Sequence, residues 1–138
     1  MDKAMQYYTS NFGIGPFHLE EHKVPAKLRG KDVSYRVKLA LASLGGVVLE
    51  LLQVLEGESL HLEVLKKRGE GVTFIGFEVD DLEAWIARFE KQGFGVLMRG
   101  SLKNAEWENR VNNVEFAHMD TAKTGGLMFE IFQARPAR

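Results

Sequence analysis

Residues Gly71 to Phe94, GVTFIGFEVDDLEAWIARFEKQGF, constrain the fold more than any other stretch of this chain. From Thr73 to Val79 the residues are apolar and rich in β-branched and aromatic types, which is strand composition. Asp80 lies three residues before Glu83, the acidic pattern that opens a helix by capping its free amides. Leu82, Trp85, Ile86 and Phe89 then recur at i, i+3, i+4 and i+7, a one-sided helical stripe. Gly93 stands where a left-handed residue ends a helix. The spacing therefore predicts a β-strand feeding an amphipathic helix.

The flanking sequence reads in order around that unit. Asp2 to Asn11 reads as a helix, with Met1, Met5, Tyr8 and Phe12 on one side and Gly13, Gly15 and Pro16 ending it. Phe17 to Val24 reads as a strand with His18, Glu20 and His22 on one face. Pro25 to Lys31 reads as a basic, turn-rich connection. Val33 to Ala42 alternates, and a Ser43–Gly46 turn leads into Val47 to Val54, so this pair predicts a hairpin. Glu58 to Arg68 reads as a short helix. After the central helix, Phe94 to Met98 reads as a strand and Arg99 to Arg110 as a polar loop. Val111 to His118 and Gly125 to Gln133 read as the last two strands.

The second half is thus βαβββ, and the first half repeats that order without its opening strand. With 138 residues the chain is one domain or two small repeats sharing a core. A net charge of −1 gives no electrostatic reason to expect nucleic acid or an anionic membrane. No apolar run is long enough to span a bilayer, and the first ten residues lack the apolar core of a signal peptide. The absence of cysteine excludes disulfides and thiolate metal sites and fits a cytoplasmic protein.

Three segments carry a family likeness: LELLQV at Leu49–Val54, LKKRGEGVTFIGFEVDDLEA at Leu65–Ala84 and DTAKTGGLMFEIFQ at Asp120–Gln133. With them the chain resembles the vicinal oxygen chelate superfamily of glyoxalases, extradiol dioxygenases and antibiotic-binding resistance proteins. It is most similar to the methylmalonyl-CoA epimerase and lactoylglutathione-lyase-like branch. The resemblance implies an α+β fold of two βαβββ modules curling a mixed sheet around one shared cavity. Module one would span residues 1–58, a linker helix 59–70 and module two 71–133. The first module lacks its opening strand, so the expectation is that the natural chain starts upstream of Met1 or that a partner chain supplies a strand beside Val47–Val54.

The resemblance also implies site residues. In metal-dependent members four strands each give one ligand to a divalent ion. Glu50 matches the Glu or Gln of the first module's fourth strand, and Glu130 matches the Glu of the last strand. Phe74 occupies the position of the family's histidine on the opening strand of module two. From the residues alone, Glu50 and Glu130 are each a lone carboxylate flanked by apolar strand neighbours, and each must face water, a partner or a ligand. An ordinary solvent-facing strand glutamate is the plain alternative for both. His118 ends a strand near the expected cavity mouth, and Trp107 and Tyr35 are candidate pocket aromatics or half-buried core. His18 and His22 lie about 13 Å apart along an extended strand, too far to share one ion. His61 reads as solvated on a charged helix, and Arg68, Arg99 and Lys123 as surface charge.

Two function classes follow. The first is a glyoxalase- or epimerase-like lyase or isomerase that moves a proton next to a carbonyl. Glu130 would be its catalytic group and Glu50 a ligand or second base, with or without a divalent metal held by Glu50 and Glu130. The second is a metal-free binding protein of the same fold, in which Phe74 removes a ligand and adds a stacking surface. A cofactor-free enzyme using Glu130 alone is a third form. The expected partners are a small-molecule ligand or substrate and a second copy of the chain as a homodimer.

Overall fold

The computed structural model describes residues 1–138. Three helices and seven strands follow one another: α1 (Asp2–Phe12), β1 (His18–Leu28), β2 (Lys31–Ser43), β3 (Val48–Gly57), α2 (Leu60–Arg68), β4 (Phe74–Glu78), α3 (Leu82–Lys91), β5 (Val96–Trp107), β6 (Arg110–Met119) and β7 (Met128–Pro136). The strands form one mixed sheet in the order β3-β2-β1-β5-β6-β7-β4, strongly curled into a half-barrel. The first half of the chain supplies three strands and the second half four.

The central unit forms as expected, one residue later than its capping pattern indicates. Asp81, not Asp80, is the N-cap of α3, its carboxylate accepting the Ala84 N–H at 3.0 Å. Asp80 instead closes the strand end, its side chain accepting the Asp81 N–H and its carbonyl the Gln133 amide. The α3 stripe then seats Leu82 and Ile86 against Ala117, Met119 and Ile131 on the convex side of the sheet.

Two expected loops are strands. Residues 25–31 continue β1 through Leu28, and only Arg29 and Gly30 turn, both with positive φ, the geometry of a tight two-residue hairpin. Pro25 is tolerated because β1 pairs with β5 only from Ala26 onward, so the missing N–H falls outside that ladder. Residues 99–110 likewise continue β5 to Trp107, with Glu108 and Asn109 at positive φ as the turn. Their polar composition reflects a hairpin end with little burial on either face.

Ladder partners point to the same face of a sheet. On the concave face Val24, Ala26, Leu28, Tyr35, Val37 and Leu39 meet Met98, Phe116 and Met128. Helix α2 lies over this face and buries Leu60 and Val64 in the same cluster. Full burial of each such aliphatic side chain contributes roughly 1.5–3 kcal/mol. The halves join where Ala26, Lys27 and Leu28 of β1 pair with Gly100, Arg99 and Met98 of β5. Gly100 permits that approach, since a Cβ there would stand 2.8 Å from the Phe116 ring and 2.9 Å from the Pro25 carbonyl.

At the two ends of the sheet the halves differ. In the second half β4 pairs in parallel with β7. In the first half β3 pairs with β2 alone, and its outer edge carries no strand of this chain. The first module therefore lacks its opening strand. No helix is long and apolar enough to cross a membrane.

Candidate functional site

The strand register assembles the site row by row across the concave face. In the first half Glu50, Leu41 and His18 form one row, Leu52, Leu39 and Glu20 the next, and Val54, Val37 and His22 the third. In the second half Met98, His118, Glu130 and Gly76 form a row, with Phe74 and Met128 beside it. Because the sheet is curled, Glu50 and Glu130, near its opposite edges, face each other across the hollow.

His118 is 1 % exposed, and its Nε2 stands 2.6 Å from Glu130 Oε2. The contact is close enough for an ion pair but is not aligned as a hydrogen bond, and Nδ1 has no partner either. Glu130 keeps 28 % of its side chain exposed to the hollow.

Glu50 is open to the same hollow yet enclosed by protein around it. That enclosure, then the charge of Glu130, then that of Glu20, pushes its carboxyl up to about 8. Burial, then Glu130 and Glu50, raise the Tyr35 phenol as well, so Tyr35 keeps its proton. Glu130 and Glu50 both act on Tyr35, and Glu130 and Glu20 both act on Glu50, so Glu50 lies within electrostatic reach of the other three.

The floor is aromatic. His61, from α2, does not point to solvent, because its turn of the helix faces the concave core between Leu60 and Val64. Its ring centroid lies 5.8 Å from Tyr35, 5.1 Å from Phe74 and 5.0 Å from His118. Burial first, and His118 second, lower the His61 imidazole to about 3, so it stays neutral. Phe74 packs on His118 at 4.4 Å between centroids.

Beyond Glu50 the hollow continues to a polar end. Glu20 accepts from His18 Nε2 at 3.0 Å or shares its proton, contacts His22 Nε2 at 2.5 Å, and accepts the Glu106 N–H at 2.6 Å. The two histidines meet on the carboxylate between them. Glu20 is a site residue that the sequence reading passed over. Its signal was the alternation that put it between His18 and His22 on one face. Trp107 sits at the tip of the β5–β6 hairpin, in an open groove of about 510 Å³ shared with His18, Glu106 and Arg110. It is therefore at the rim, not beside Glu130.

The donor set does not fit a divalent metal. No three His, Asp or Glu side chains converge with the geometry of a metal site. On β4 Phe74 offers no donor atom, and Gly76 faces Glu130 with no side chain.

A sequence-family model described as the glyoxalase/bleomycin resistance protein/dioxygenase superfamily matches residues 1–112. No curated protein sequence matches the chain significantly. Among solved structures, methylmalonyl-CoA epimerase from Mycobacterium tuberculosis superposes with a TM-score of 0.59 at 23% identity, over 98% of this chain and 81% of that one. A variant of the Streptomyces coelicolor methylmalonyl-CoA epimerase, in complex with 2-nitronate-propionyl-CoA, gives 0.62 at 21% identity, over 100% of this chain and 90% of that one. A hypothetical protein from Bacillus halodurans gives 0.60 at 20% identity, over 100% and 88%. At these identities the likeness is one of fold. With a curled sheet of this strand order and a family model matched over most of its length, the chain belongs to the glyoxalase/bleomycin resistance protein/dioxygenase superfamily.

Proposed function

We propose that the protein is an epimerase- or isomerase-like enzyme that moves a proton on a carbon next to a carbonyl of a small molecule. The observation that carries this reading is the pairing of Glu130 with Glu50 across the hollow. Their environments differ: Glu130 contacts His118 and opens to solvent, whereas Glu50 is raised to about 8. A carboxyl raised to about 8 on one wall and a second carboxyl on the other are the means for removing a proton with one and returning it with the other.

In this reading Glu130 takes the proton as base. Glu50, protonated, faces the opposite side of the substrate and returns a proton. Tyr35, which keeps its hydroxyl proton, is placed to donate to the carbonyl oxygen as negative charge develops there. His118 orients Glu130. The aromatic floor of Phe74 and His61 excludes water from below. No step is routed through a metal, since the donor set does not hold one.

The test is proton exchange in deuterium oxide followed by NMR. Methylmalonyl-CoA and the hemithioacetal of methylglyoxal with glutathione are the first substrates to present. Deuterium incorporation next to the carbonyl is expected, and Glu130→Gln should lower it about 10²–10⁴-fold. Exchange that persists in Glu130→Gln removes Glu130 from the mechanism.

A second reading, a binding protein without catalysis, is favoured by Phe74. Its ring, with His61 and Tyr35, gives the floor a stacking surface rather than a ligand. Ligand binding without exchange is the result that would select it.

A further inference from the structure

The two halves of the sheet are joined over a short seam. β1 pairs with β2 along its whole length, but with β5 only where Ala26, Lys27 and Leu28 meet Gly100, Arg99 and Met98. At this paired end the seam is also braced by α2, whose Leu60 N–H points to the Met98 sulfur at 3.5 Å. Continued at the same register, the ladder would set Val24 opposite Leu102 and Glu20 opposite Glu106. It stops short, because a bulge between Leu102 and Ala105, with Asn104 at a φ of 54°, bends β5 away from β1. The strands part into a slot of about 250 Å³. Glu20 and His22 line it from the concave face of β1, Leu19 and Glu21 from the convex face, and Asn104 and Glu106 from β5.

One hydrogen bond spans the slot: Glu20 Oε1 accepts the Glu106 N–H at 2.6 Å. Glu106 is the residue that the ladder would have placed opposite Glu20, so the side chain reaches where the backbone does not. The Glu20 side chain is 9 % exposed, and His18 Nε2 at 3.0 Å and His22 Nε2 at 2.5 Å hold its carboxylate from either side. A carboxylate bound to a backbone N–H is stronger than a neutral hydrogen bond, and more so when removed from water. Glu50 lies on the β1 side of the seam and Glu130 on the β5 side. The angle between the two halves therefore sets the width of the hollow between them.

We infer that Glu20 is a positioning residue: by reaching across the slot to the Glu106 N–H it clamps the two halves of the sheet and fixes the spacing of Glu50 and Glu130. This role rests on the reading that those two carboxyls act on one substrate, whereas the clamp itself is read without turnover.

Two variants separate reach from charge. Glu20→Asp keeps the carboxylate and removes one methylene. Glu20→Gln keeps the reach and an acceptor oxygen and removes the charge. In the parent protein, amide hydrogen exchange followed by NMR should show the Glu106 N–H protected relative to the turn amide of Glu108. Glu20→Asp should speed Glu106 exchange at least about tenfold, and Glu20→Gln should leave it protected. The chain has no cysteine, so nitroxides on Ser43→Cys and Glu115→Cys, exposed positions on the two halves, report the opening by electron–electron double resonance. Their distance should lengthen or broaden in Glu20→Asp and match the parent in Glu20→Gln. Proton exchange at saturating methylmalonyl-CoA should slow by about 10²-fold in Glu20→Asp. Glu21→Gln, which removes a carboxylate from the same slot but not the contact, should change none of these. A Glu106 amide as fast as that of Glu108 in the parent, or release in Glu20→Gln but not in Glu20→Asp, overturns the clamp. So does an unchanged nitroxide distance in Glu20→Asp. A changed distance with undiminished proton exchange overturns the positioning role. A clamp upheld by both spectroscopic readouts, in a protein that exchanges no proton beside a carbonyl, would sink the proton-transfer reading alone.

Discussion

The Phe74 ring and the His118 imidazole meet edge to face, 4.4 Å between centroids and inclined by 60°. Phe74 thereby covers the imidazole that contacts Glu130, and it holds a strand position from which a histidine would reach toward the same carboxylate. This pair explains why the hollow has carboxylates but no metal geometry.

The first prediction follows from that contact. The protein as it stands should retain no stoichiometric zinc or nickel after dialysis, measured by elemental analysis. Phe74→His should raise zinc affinity by an order of magnitude or more, since it adds a nitrogen donor beside His118 and Glu130. Unchanged affinity by calorimetry would show that position 74 does not reach Glu130.

Glu50 sets a pH dependence. As the acid in proton transfer it must be protonated, so activity should fall as pH rises through about 8. Glu50→Gln should remove that limb from the pH profile along with most of the activity. The same shift acts on stability. The folded state holds the Glu50 proton more tightly than the unfolded chain, whose carboxyl titrates near 4.5. Its ionisation penalty is absent below 4.5, grows as pH rises, and is complete above about 8. Glu50→Gln should therefore raise Tm more at pH 9 than at pH 5.

His61 acts at the acid end with the opposite cause. Its imidazole is lowered from 6.5 to about 3, so below 6.5 the unfolded chain binds a proton that the folded protein refuses. Stability is lost as pH falls from 6.5 toward 3. His61→Phe keeps a ring in the aromatic floor and should flatten this acid limb, read as Tm against pH. An acid limb as steep as in the parent protein would remove His61 as its source.

Gly57 holds the site from behind. Its φ is +91°, and a Cβ there would stand 2.3 Å from the Ser34 carbonyl oxygen and 2.7 Å from the Tyr35 Cα. Gly57→Ala should destabilise the protein by about 1–3 kcal/mol from backbone strain alone. It should also displace Tyr35, so ligand binding should weaken in the folded fraction. Denaturant unfolding and calorimetry measure the two effects separately.

The elements with a strong local period were legible in the sequence. The Leu82–Phe89 stripe, the β2–β3 hairpin and α2 need only neighbours a few residues apart to declare themselves. The strands through Pro25 and through residues 99–107 were not. Their polarity is that of loops, and only ladder partners distant in sequence make them strands. Glu50 and Glu130 stood out because an isolated carboxylate in an apolar strand needs a reason.

What the sequence determined by itself was therefore the alternation that assigns each strand residue to a face, and hence the set of side chains able to share the hollow. Which of them meet was decided by the tertiary structure. The curl of the sheet brings β3 opposite β7, turning two glutamates distant in sequence into an interacting pair and adding Glu20 to them. The seating of α2 on the concave face takes His61 out of water and makes it a neutral ring in the floor. A helix of charged sequence gives no sign of this, because burial depends on what lies across from a residue, and that partner is supplied by chain far away.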